Sequence, residues 1–207
     1  MDLNIRYVCV GKWKENSYII EYNGQSILID PGDNFDELDS EFEKNDTQHV
    51  AIINTHGHFD HVGAVAAFKE KYGLPFYLHS KDRRILTQAN IIRRFADDNG
   101  YVKIPTIDHY LDTLPSFDLH DKKIIFHHTP GHSHGSVCME IDNNLFSGDI
   151  LFSDCIGRTD LPGGDEELLK KTLKFVIERF KGYSIFPGHS KPFVLDNEVI
   201  GSIQNLI

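Results

Sequence analysis

The run HGHFDH at residues 56–61 constrains this chain most, because it packs three imidazoles and a carboxylate into six residues. Alternate residues of an extended segment point the same way. His56 and His58 can therefore grip one metal ion, while Asp60 and His61, beyond the bend, face a second. Imidazole and carboxylate ligands suit zinc, iron, manganese or cobalt, whereas calcium takes mostly oxygen ligands. The run predicts a transition-metal site.

Three more residues of metal-ligand type stand alone later in the chain, each soon after an apolar stretch typical of a buried strand. These residues are His132, Asp149 and His189. A glycine precedes each of them, which lets the backbone turn sharply there. We expect three strand ends to converge on one edge of a sheet and to complete a set of seven ligands.

Characteristic motifs run through nearly the whole chain. They are NSYII at residues 16–20, ILIDPG at 27–32, THGHFDHVG at 55–63, TPGHS at 129–133, SGDILF at 147–152, GRTDLPGGD at 157–165 and PGH at 187–189. On these motifs and their order, the chain resembles the metallo-β-lactamase-fold hydrolases, and within them the small glyoxalase II-like (hydroxyacylglutathione hydrolase-like) group. The resemblance implies an α/β fold, a four-layer αββα sandwich with the site at the sheet edge.

The resemblance also implies how two divalent metal ions are held. One ion lies on His56, His58 and His132, the second lies on Asp60, His61 and His189, and Asp149 bridges them. Zinc is the expected metal, with iron and manganese as alternatives. Such a set leaves coordination positions open, as in catalytic sites. Zinc lowers the pKa of bound water to about 7, so a bridging hydroxide positioned by Asp60 and Asp149 would be the nucleophile.

Strand-rich and helical segments alternate in two halves, roughly residues 1–115 and 116–207, and each half contributes ligands. Asn23-Gly24 separates apolar strands at residues 18–22 and 26–30, which predicts a hairpin with a type I′ turn. No linker rich in proline or serine separates the halves. We therefore expect a single domain over residues 1–207.

Apolar periodicity predicts three helices. The first directly follows the histidine-rich run and stops at Gly73. The second starts after Ser80, and its predicted apolar face consists of Ile85, Ala89, Ile92, Phe95 and Ala96. The third spans residues 165–181 and stops at Gly182. Its predicted core residues are Leu169, Thr172, Leu173, Val176, Ile177 and Phe180.

The composition limits the classes of partner that this protein is expected to bind. The chain has 21 Lys and Arg against 31 Asp and Glu, a formal charge of −10, and no basic cluster larger than a pair. Nucleic-acid and anionic-membrane partners are therefore disfavoured, and a small-molecule substrate is expected. No apolar run approaches the roughly 20 residues of a membrane helix. Three cysteines without paired spacing, and no apolar signal segment, predict a cytoplasmic protein with reduced thiols. Cys155 lies close to the motif after Asp149 and is a candidate metal ligand, with a packed thiol or a thiol that supports the ligands as the favoured interpretation.

Two departures from the family pattern bear on the substrate. Eukaryotic-type glyoxalase II enzymes carry an additional C-terminal helical domain that grips glutathione, whereas this sequence ends soon after His189. The same enzymes have a lysine and a tyrosine where this sequence has Arg158 and Asp160. Arg158 is a candidate anchor for a substrate carboxylate, although pairing with Asp160 to brace the loop is the favoured interpretation.

Several residues are candidates for supporting roles. Asp30 resembles the family aspartate that orients a metal ligand through a hydrogen bond. His128 and His134 flank His132 and are candidate partners of the ligands, with loop bracing as the favoured alternative. Residues 88–117 are expected to form one wall of the pocket. Candidate contacts on that wall are Tyr101, Tyr110 and Arg94.

The leading functional prediction is hydrolysis of a thioester of the hydroxyacylglutathione (glyoxalase II) type. One alternative is a lactonase or other ester hydrolase of the same fold. Another is a persulfide dioxygenase with a single iron, whose relatives share the stretch at residues 157–160 but continue it differently. A metal-binding protein without activity is the alternative that an intact set of seven ligands argues against.

Overall fold

The computed structural model describes residues 2–96 and 98–207, whose strands form two six-stranded sheets. The first sheet contains β1 (Asn4–Val10), β2 (Glu15–Tyr22), β3 (Gln25–Ile29), β4 (Gln48–Ile53), β5 (Phe76–Leu78) and β6 (His109–Tyr110). The second contains β7 (Ser116–Leu119), β8 (Lys122–His128), β9 (Val137–Ile141), β10 (Asn144–Gly148), β11 (Ser184–Pro187) and β12 (Phe193–Val194). Each sheet thus draws on one half of the chain. The extension of a single domain over residues 1–207 stays a prediction.

The first sheet keeps its strands in chain order and changes direction once. β1, β2 and β3 pair antiparallel, whereas β3, β4, β5 and β6 pair parallel. Asn23 and Gly24, between β2 and β3, have φ values of 48° and 78°. Positive φ at both central residues is what a type I′ turn requires, so the predicted hairpin is confirmed. The parallel strands carry the chain to one edge, where β4 leads into the histidine-rich run.

The second sheet has the order β12-β11-β10-β9-β8-β7. Its strands pair antiparallel except β10 and β11, which are parallel. Because the carboxyl ends of parallel neighbours share an edge, Asp149 and His189 leave the sheet side by side. The strand-end geometry expected from the sequence is present at this edge.

The two sheets enclose one apolar core between them. Tyr18 of the first sheet meets Phe146 of the second edge to face, with ring centroids 5.1 Å apart. Successive residues of a strand face opposite sides: Ile20 lies in the core between the sheets, whereas Ile19 packs on the outer side against helices. Two sheets between helical layers give the predicted α/β class and αββα arrangement.

The helices cover the outer faces of the sheets. They are α1 (Phe35–Phe42), α2 (Phe59–Val62), α3 (Val65–Tyr72), α4 (Arg83–Thr87), α5 (Ala89–Phe95), α6 (Glu166–Phe180) and α7 (Asn197–Gln204). α1 and α3 to α5 pack on the first sheet, and α6 and α7 pack on the second. Among the described helices, none has the length and apolar character needed to cross a membrane.

α6 follows the prediction closely. The Asp165 side chain caps it by accepting a hydrogen bond of 2.9 Å from the Leu168 N–H, and Gly182 beyond its end has a φ of 86°. All six predicted core residues of this helix are buried. Such a cap contributes about 1 kcal/mol.

The other two predicted helices differ in detail. The helix after the histidine-rich run begins at Phe59 and breaks after Val62, because the Ala64 N–H donates to Pro31 O at 2.9 Å instead of continuing one helix. The second helix is divided into a 3-10 turn, α4 and α5. One residue of its predicted apolar face was wrong, since Phe95 is 83% exposed at the end of α5, whereas Ala96 packs against the core.

Candidate metal centre

Three histidines from both halves of the chain meet at the common edge of the sheets. His56 lies in the loop after β4, His58 is the N-cap residue of α2, and His132 lies in the loop after β8. Their ligand atoms lie within 4.8 Å of one another. His132 Nε2 is 2.9 Å from His58 Nδ1 and 3.3 Å from His56 Nε2. Three buried imidazoles thus turn a nitrogen toward one point.

Asp60, His61 and His189 form a second cluster beside the first. Asp60 and His61 lie in the first turn of α2, two and three positions after His58 of the first cluster, and His189 follows β11. Their ligand atoms also lie within 4.8 Å of one another. His189 Nε2 is 3.4 Å from Asp60 Oδ2. Asp60 and His61 lie in a helix rather than beyond a bend, and both side chains point toward His189.

The Asp149 carboxylate lies between the two clusters. Its Oδ1 is 3.4 Å from His61 Nε2, and its Oδ2 is 3.4 Å from His189 Nε2 and 3.6 Å from His132 Nε2. All seven residues that the sequence singles out are therefore brought together. A carboxylate that contacts both clusters has the geometry of a bridging ligand.

The donor set fits divalent metal ions. His61 Nε2 and Asp149 Oδ1 are buried and have no hydrogen-bond partner in the described residues. Buried polar groups normally have hydrogen-bond partners, so two buried atoms that lack one and face each other indicate that a ligand binds between them. Imidazole nitrogens and carboxylate oxygens without a thiolate suit zinc, iron and manganese.

Burial and mutual proximity keep the first cluster neutral. Burial lowers the pKa of His56 well below its ordinary value and that of His58 to about 3, with the neighbouring histidines adding to the effect. Neutral imidazoles offer lone pairs to a metal ion. The first cluster is thus a set of three nitrogen donors.

The second cluster has the opposite balance. Burial opposes protonation of His61 and His189, but the Asp149 carboxylate outweighs it, with Asp30 and Asp60 adding to the effect; the pKa of His61 rises well above its ordinary value and that of His189 rises to about 10. Burial also opposes ionisation of Asp149, yet the two histidines hold its pKa well below the usual range. The carboxylates therefore favour positive charge at His61 and His189. A divalent cation bound there would provide that charge in place of the protons.

Asp30 orients His61 from behind. Its Oδ2 lies 3.0 Å from His61 Nδ1, while Thr55 donates to Asp30 from its N–H at 2.7 Å and from its hydroxyl at 2.6 Å. Asp30, His56 and His61 also lie within ligand distance of one another. Because both Asp30 oxygens already accept hydrogen bonds, we interpret Asp30 as a partner of His61 rather than a ligand.

Asp82, which sequence reasoning missed, joins the two loops that carry the first cluster. This carboxylate is fully buried. It accepts hydrogen bonds from the Gly57 N–H at 2.9 Å, the Ser133 hydroxyl at 2.7 Å and the Gly135 N–H at 2.6 Å. Burial raises its pKa, and these three donors partly offset that effect. No local pattern around residue 82 announces contacts that depend on the folded loops.

Glu15 is a second buried carboxylate that sequence reasoning missed. It is 1% exposed, and its Oε1 lies 3.8 Å from His61 Nδ1, whereas its Oε2 accepts from the Ser17 hydroxyl at 2.9 Å. Burial raises its pKa well above the usual range, although nearby His61 acts in the other direction. A charged residue directly before the strand motif NSYII was the available signal.

A cavity of about 350 Å³ opens over the two clusters. It is lined by Trp13, Phe59, Asp60, Ala96, His132, Asp149, Phe152, Cys155, Ile156, Arg158, Leu161, His189 and Ser190. Arg158 forms a two-pronged ion pair with Asp160, with both contacts at 2.7 Å. Loop bracing, the favoured interpretation of Arg158, is therefore the contact present. Cys155 is exposed on the cavity wall.

The predicted wall from residues 88–117 is mostly absent from this cavity. Ala96 is its contribution among the described residues. Tyr101 is 79% exposed and Tyr110 belongs to the edge strand β6, so these two and Arg94 do not border the cavity. The expectation fails because the segment packs elsewhere: the Val102 N–H donates to Asn90 Oδ1 of α5 at 2.8 Å, and β6 pairs with β5.

His128 and His134 brace a loop rather than a metal ligand. His128 Nε2 donates to His134 O at 2.9 Å and its ring stacks on that of His79, with centroids 4.4 Å apart. His132 Nδ1 instead donates to Arg158 O at 2.8 Å. A backbone carbonyl therefore fixes the orientation of this histidine.

Comparison with known proteins gives a consistent family. The family model described as the metallo-beta-lactamase superfamily matches residues 10–189. An uncharacterized protein of Aquifex aeolicus is 35% identical over 177 residues, 84% of this chain and 82% of its own. The probable metallo-hydrolase YqgX of Bacillus subtilis is 32% identical over 166 residues, 79% of each chain. The probable metallo-hydrolase MJ0888 of Methanocaldococcus jannaschii is 33% identical over 190 residues, 86% of this chain and 89% of its own.

Two crystal structures are similar over nearly the full length. The BLEG-1 B3 metallo-beta-lactamase has a TM-score of 0.86 at 30% identity, covering 98% of this chain and 97% of its own. TTHA1623, solved in a di-iron-bound form, has a TM-score of 0.81 at 34% identity, covering 92% of this chain and 94% of its own.

Proposed function

This chain belongs to the metallo-β-lactamase superfamily, and from that premise we propose that it is a binuclear metal-dependent hydrolase of thioesters, of the glyoxalase II type. The probable metallo-hydrolases among its relatives support hydrolysis as the reaction class. The sequence resemblance to the glyoxalase II-like group supports the thioester as substrate.

The Asp149 carboxylate carries the binuclear part of the proposal. It touches His132 on one side and His61 and His189 on the other, at 3.4–3.6 Å. In this proposal His56, His58 and His132 hold one ion, and Asp60, His61 and His189 hold the other. A protein with a single iron would leave the second cluster without a purpose, which argues against the persulfide dioxygenase alternative.

Divalent ions bound there would supply an activated water at neutral pH and a Lewis acid for the carbonyl. The chain's own residues do the rest. Asp60 and Asp149 line the cavity, where their carboxylates would accept hydrogen bonds from the attacking water and so orient its lone pair. Asp30 and the Arg158 carbonyl hold the rings of His61 and His132 in place. Fixed orientation is what lets such groups act without reorganisation.

The cavity wall suits an acyl group beside a polar centre. Trp13 and Phe59 meet edge to face at 5.7 Å, and Phe152 and Ile156 also line the cavity. These side chains exclude bulk water from one side of the carbonyl. Hydrolysis then forms a C–O bond and breaks the C–S bond, giving a carboxylate and a thiol with release of one proton.

Thiol release from S-D-lactoylglutathione tests the proposal directly. Purified protein of known metal content should hydrolyse it, and Asp149→Ala should lose both the activity and about half of the bound metal. Elemental analysis of the same samples identifies zinc, iron or manganese. Absence of turnover in a sample with two metal ions per chain would exclude this thioester as substrate.

β-Lactam hydrolysis is the second candidate, because the B3 metallo-beta-lactamase BLEG-1 matches 98% of this chain at 30% identity. Ring opening of a chromogenic cephalosporin by the same metal-loaded sample would favour it. Turnover of a lactone or a simple ester without thioester turnover would favour the ester hydrolase alternative. Asp149→Ala serves as the control in each assay.

A further inference from the structure

A second cavity of about 480 Å³ adjoins the metal centre and carries two lysines. We call it the lysine groove; it is lined by Tyr7, Cys9, Trp13, Lys14, Asn16, His189, Ser190 and Lys191. It shares Trp13, His189 and Ser190 with the cavity over the metal clusters. A ligand whose reacting group lies over the clusters can therefore extend past Trp13 into the groove.

The charge of the lysine groove is opposite to that of the molecule. The chain carries a formal charge of −10, yet none of the described residues that line the groove has a carboxylate. Lys14 and Lys191 form no ion pair within residues 2–96 and 98–207. Arg158, which lines the cavity over the metal clusters, is already paired with Asp160. Lys14 and Lys191 thus place two positive charges beside the site that no described carboxylate neutralises.

Hydrogen bonds fix the two lysine-bearing turns to each other and to the metal centre. The Asn16 N–H donates to Gly188 O at 2.7 Å, and Asn16 Nδ2 donates to Ser190 O at 2.6 Å. His189 Nδ1 donates to Lys14 O at 3.3 Å. The lysine backbones are thus held next to a residue of the second cluster, so both side chains start from fixed points beside the metal centre.

We propose that Lys14 and Lys191 bind an anionic group, a carboxylate or a phosphate, on the thiol-bearing part of the substrate. The inference rests on the proposed thioesterase function and adds its substrate class. The acyl part of the substrate occupies the apolar cavity over the clusters, and its thiol-bearing part extends past the Trp13 side chain into the lysine groove. Ammonium groups are point charges that accept either anion, and they also draw an anionic substrate toward a negatively charged protein.

Kinetics on a matched substrate pair test this assignment. Thiol release is followed for S-D-lactoylglutathione and for its diethyl ester, which presents the same thioester without carboxylates. Lys14→Gln and Lys191→Gln should each raise KM for the anionic substrate about two- to five-fold, the range of an exposed charge pair, and leave kcat unchanged. KM for the diethyl ester should not change. Lys174→Gln, at an exposed position of α6, is the matched control.

Binding of ligands that cannot be hydrolysed separates this inference from the proposed function. Titration calorimetry of the metal-loaded protein with S-methylglutathione tests carboxylates, and titration with S-methyl coenzyme A tests phosphates. The double variant Lys14→Gln/Lys191→Gln should weaken the preferred probe about ten-fold, and raised salt should remove the difference. Tighter binding of one probe by the wild-type protein identifies the anion.

The outcomes are distinct. Binding that depends on both lysines, without thioester turnover, would retain the anion subsite and remove the proposed reaction. Thioester turnover with equal loss of binding for charged and uncharged substrates in the lysine variants would overturn the subsite and retain the reaction. Failure of the wild-type protein to bind either probe would also overturn the subsite.

Discussion

Asp82 Oδ2 accepts a hydrogen bond from the Ser133 hydroxyl at 2.7 Å, although the two residues are 51 positions apart in the chain. The same carboxylate holds the Gly57 N–H at 2.9 Å. One side chain therefore joins the loop of His56 and His58 to the loop of His132. The two halves of the first cluster keep their spacing through a residue that does not touch the metal site.

Asp82→Ala should weaken metal binding about 10- to 100-fold, the usual effect of losing a partner of the ligands. It should also cost about 1–3 kcal/mol of unfolding free energy for each buried donor left unpaired. Chelator competition and thermal melting measure the two effects. Asp112→Ala, which removes a carboxylate that accepts from the Ser80 N–H at 2.9 Å, is the control. Equal metal affinities in the two variants would contradict the role of Asp82.

Gly188→Ala should displace the bridging carboxylate. A Cβ at Gly188 would overlap Asp149 Oδ1 and lie 2.7 Å from His61 Cε1. We expect at least one metal ion per chain to be lost, as measured by elemental analysis after dialysis. Gly201→Ala in α7 meets no atom within 4 Å and should stabilise the helix by about 0.5–1 kcal/mol. A Gly188→Ala protein with a full metal content would show that the carboxylate is free to move.

His79 should make the unfolding free energy depend on pH. Burial, with the stacked His128 adding to it, lowers the pKa of His79 to about 4. Between pH 6.5 and 4 the unfolded chain binds a proton that the folded chain does not, so stability is full above pH 6.5 and falls as the pH falls. The slope from this residue is at most about 1.4 kcal/mol per pH unit.

Urea unfolding of the wild-type protein and His79→Gln over pH 4.5–7.5 checks this dependence. The two curves should run parallel above pH 6.5 and converge below it, because glutamine does not titrate. Curves that stay parallel throughout would show that His79 takes up its proton equally in both states.

Cys155→Ser should keep the full metal content, because the seven clustered residues include no thiol. In the wild-type protein, iodoacetamide should modify the exposed Cys9 and Cys155 and spare the buried Cys138. Burial raises the pKa of Cys138 to about 12, so its unreactive thiol form persists. A ligand seated over the metal clusters should protect Cys155, which mass spectrometry of the labelled peptides would detect. Loss of metal in Cys155→Ser would assign it to the site.

Four of the seven clustered residues were predictable because their types and spacing form one short run at residues 56–61. His132, Asp149 and His189 were predictable because each follows an apolar stretch and a glycine within a family motif. The same holds for α6, whose cap residue, apolar stripe and terminal glycine all lie within one continuous segment. Periodicity could not find the break after Val62, since the Ala64 N–H is drawn to Pro31 O, which lies 33 residues away. It also placed Phe95 in the core, whereas the helix ends there and exposes the ring.

The supporting residues were harder to predict than the clustered ones. Asp30 was found through the family motif, and its contact with His61 is present at 3.0 Å. Asp82 and Glu15 act through contacts between distant loops, and a single sequence carries no periodic sign of such contacts. The pairing of Arg158 with Asp160 was predicted correctly because the two residues are only two positions apart.

An isolated antiparallel β-bridge joins Glu15 of β2 to His189 after β11, so the two sheets must come together before the metal centre is complete. Closing a loop between β2 and the residues after β11 is entropically costly, so we expect contacts of this span to form late in folding. His56, His58, Asp60 and His61 are synthesised first, but they acquire their partners only when the second sheet has docked. Metal capture should therefore report the end of folding, and a chain cut between the sheets should leave neither fragment with a complete binding site.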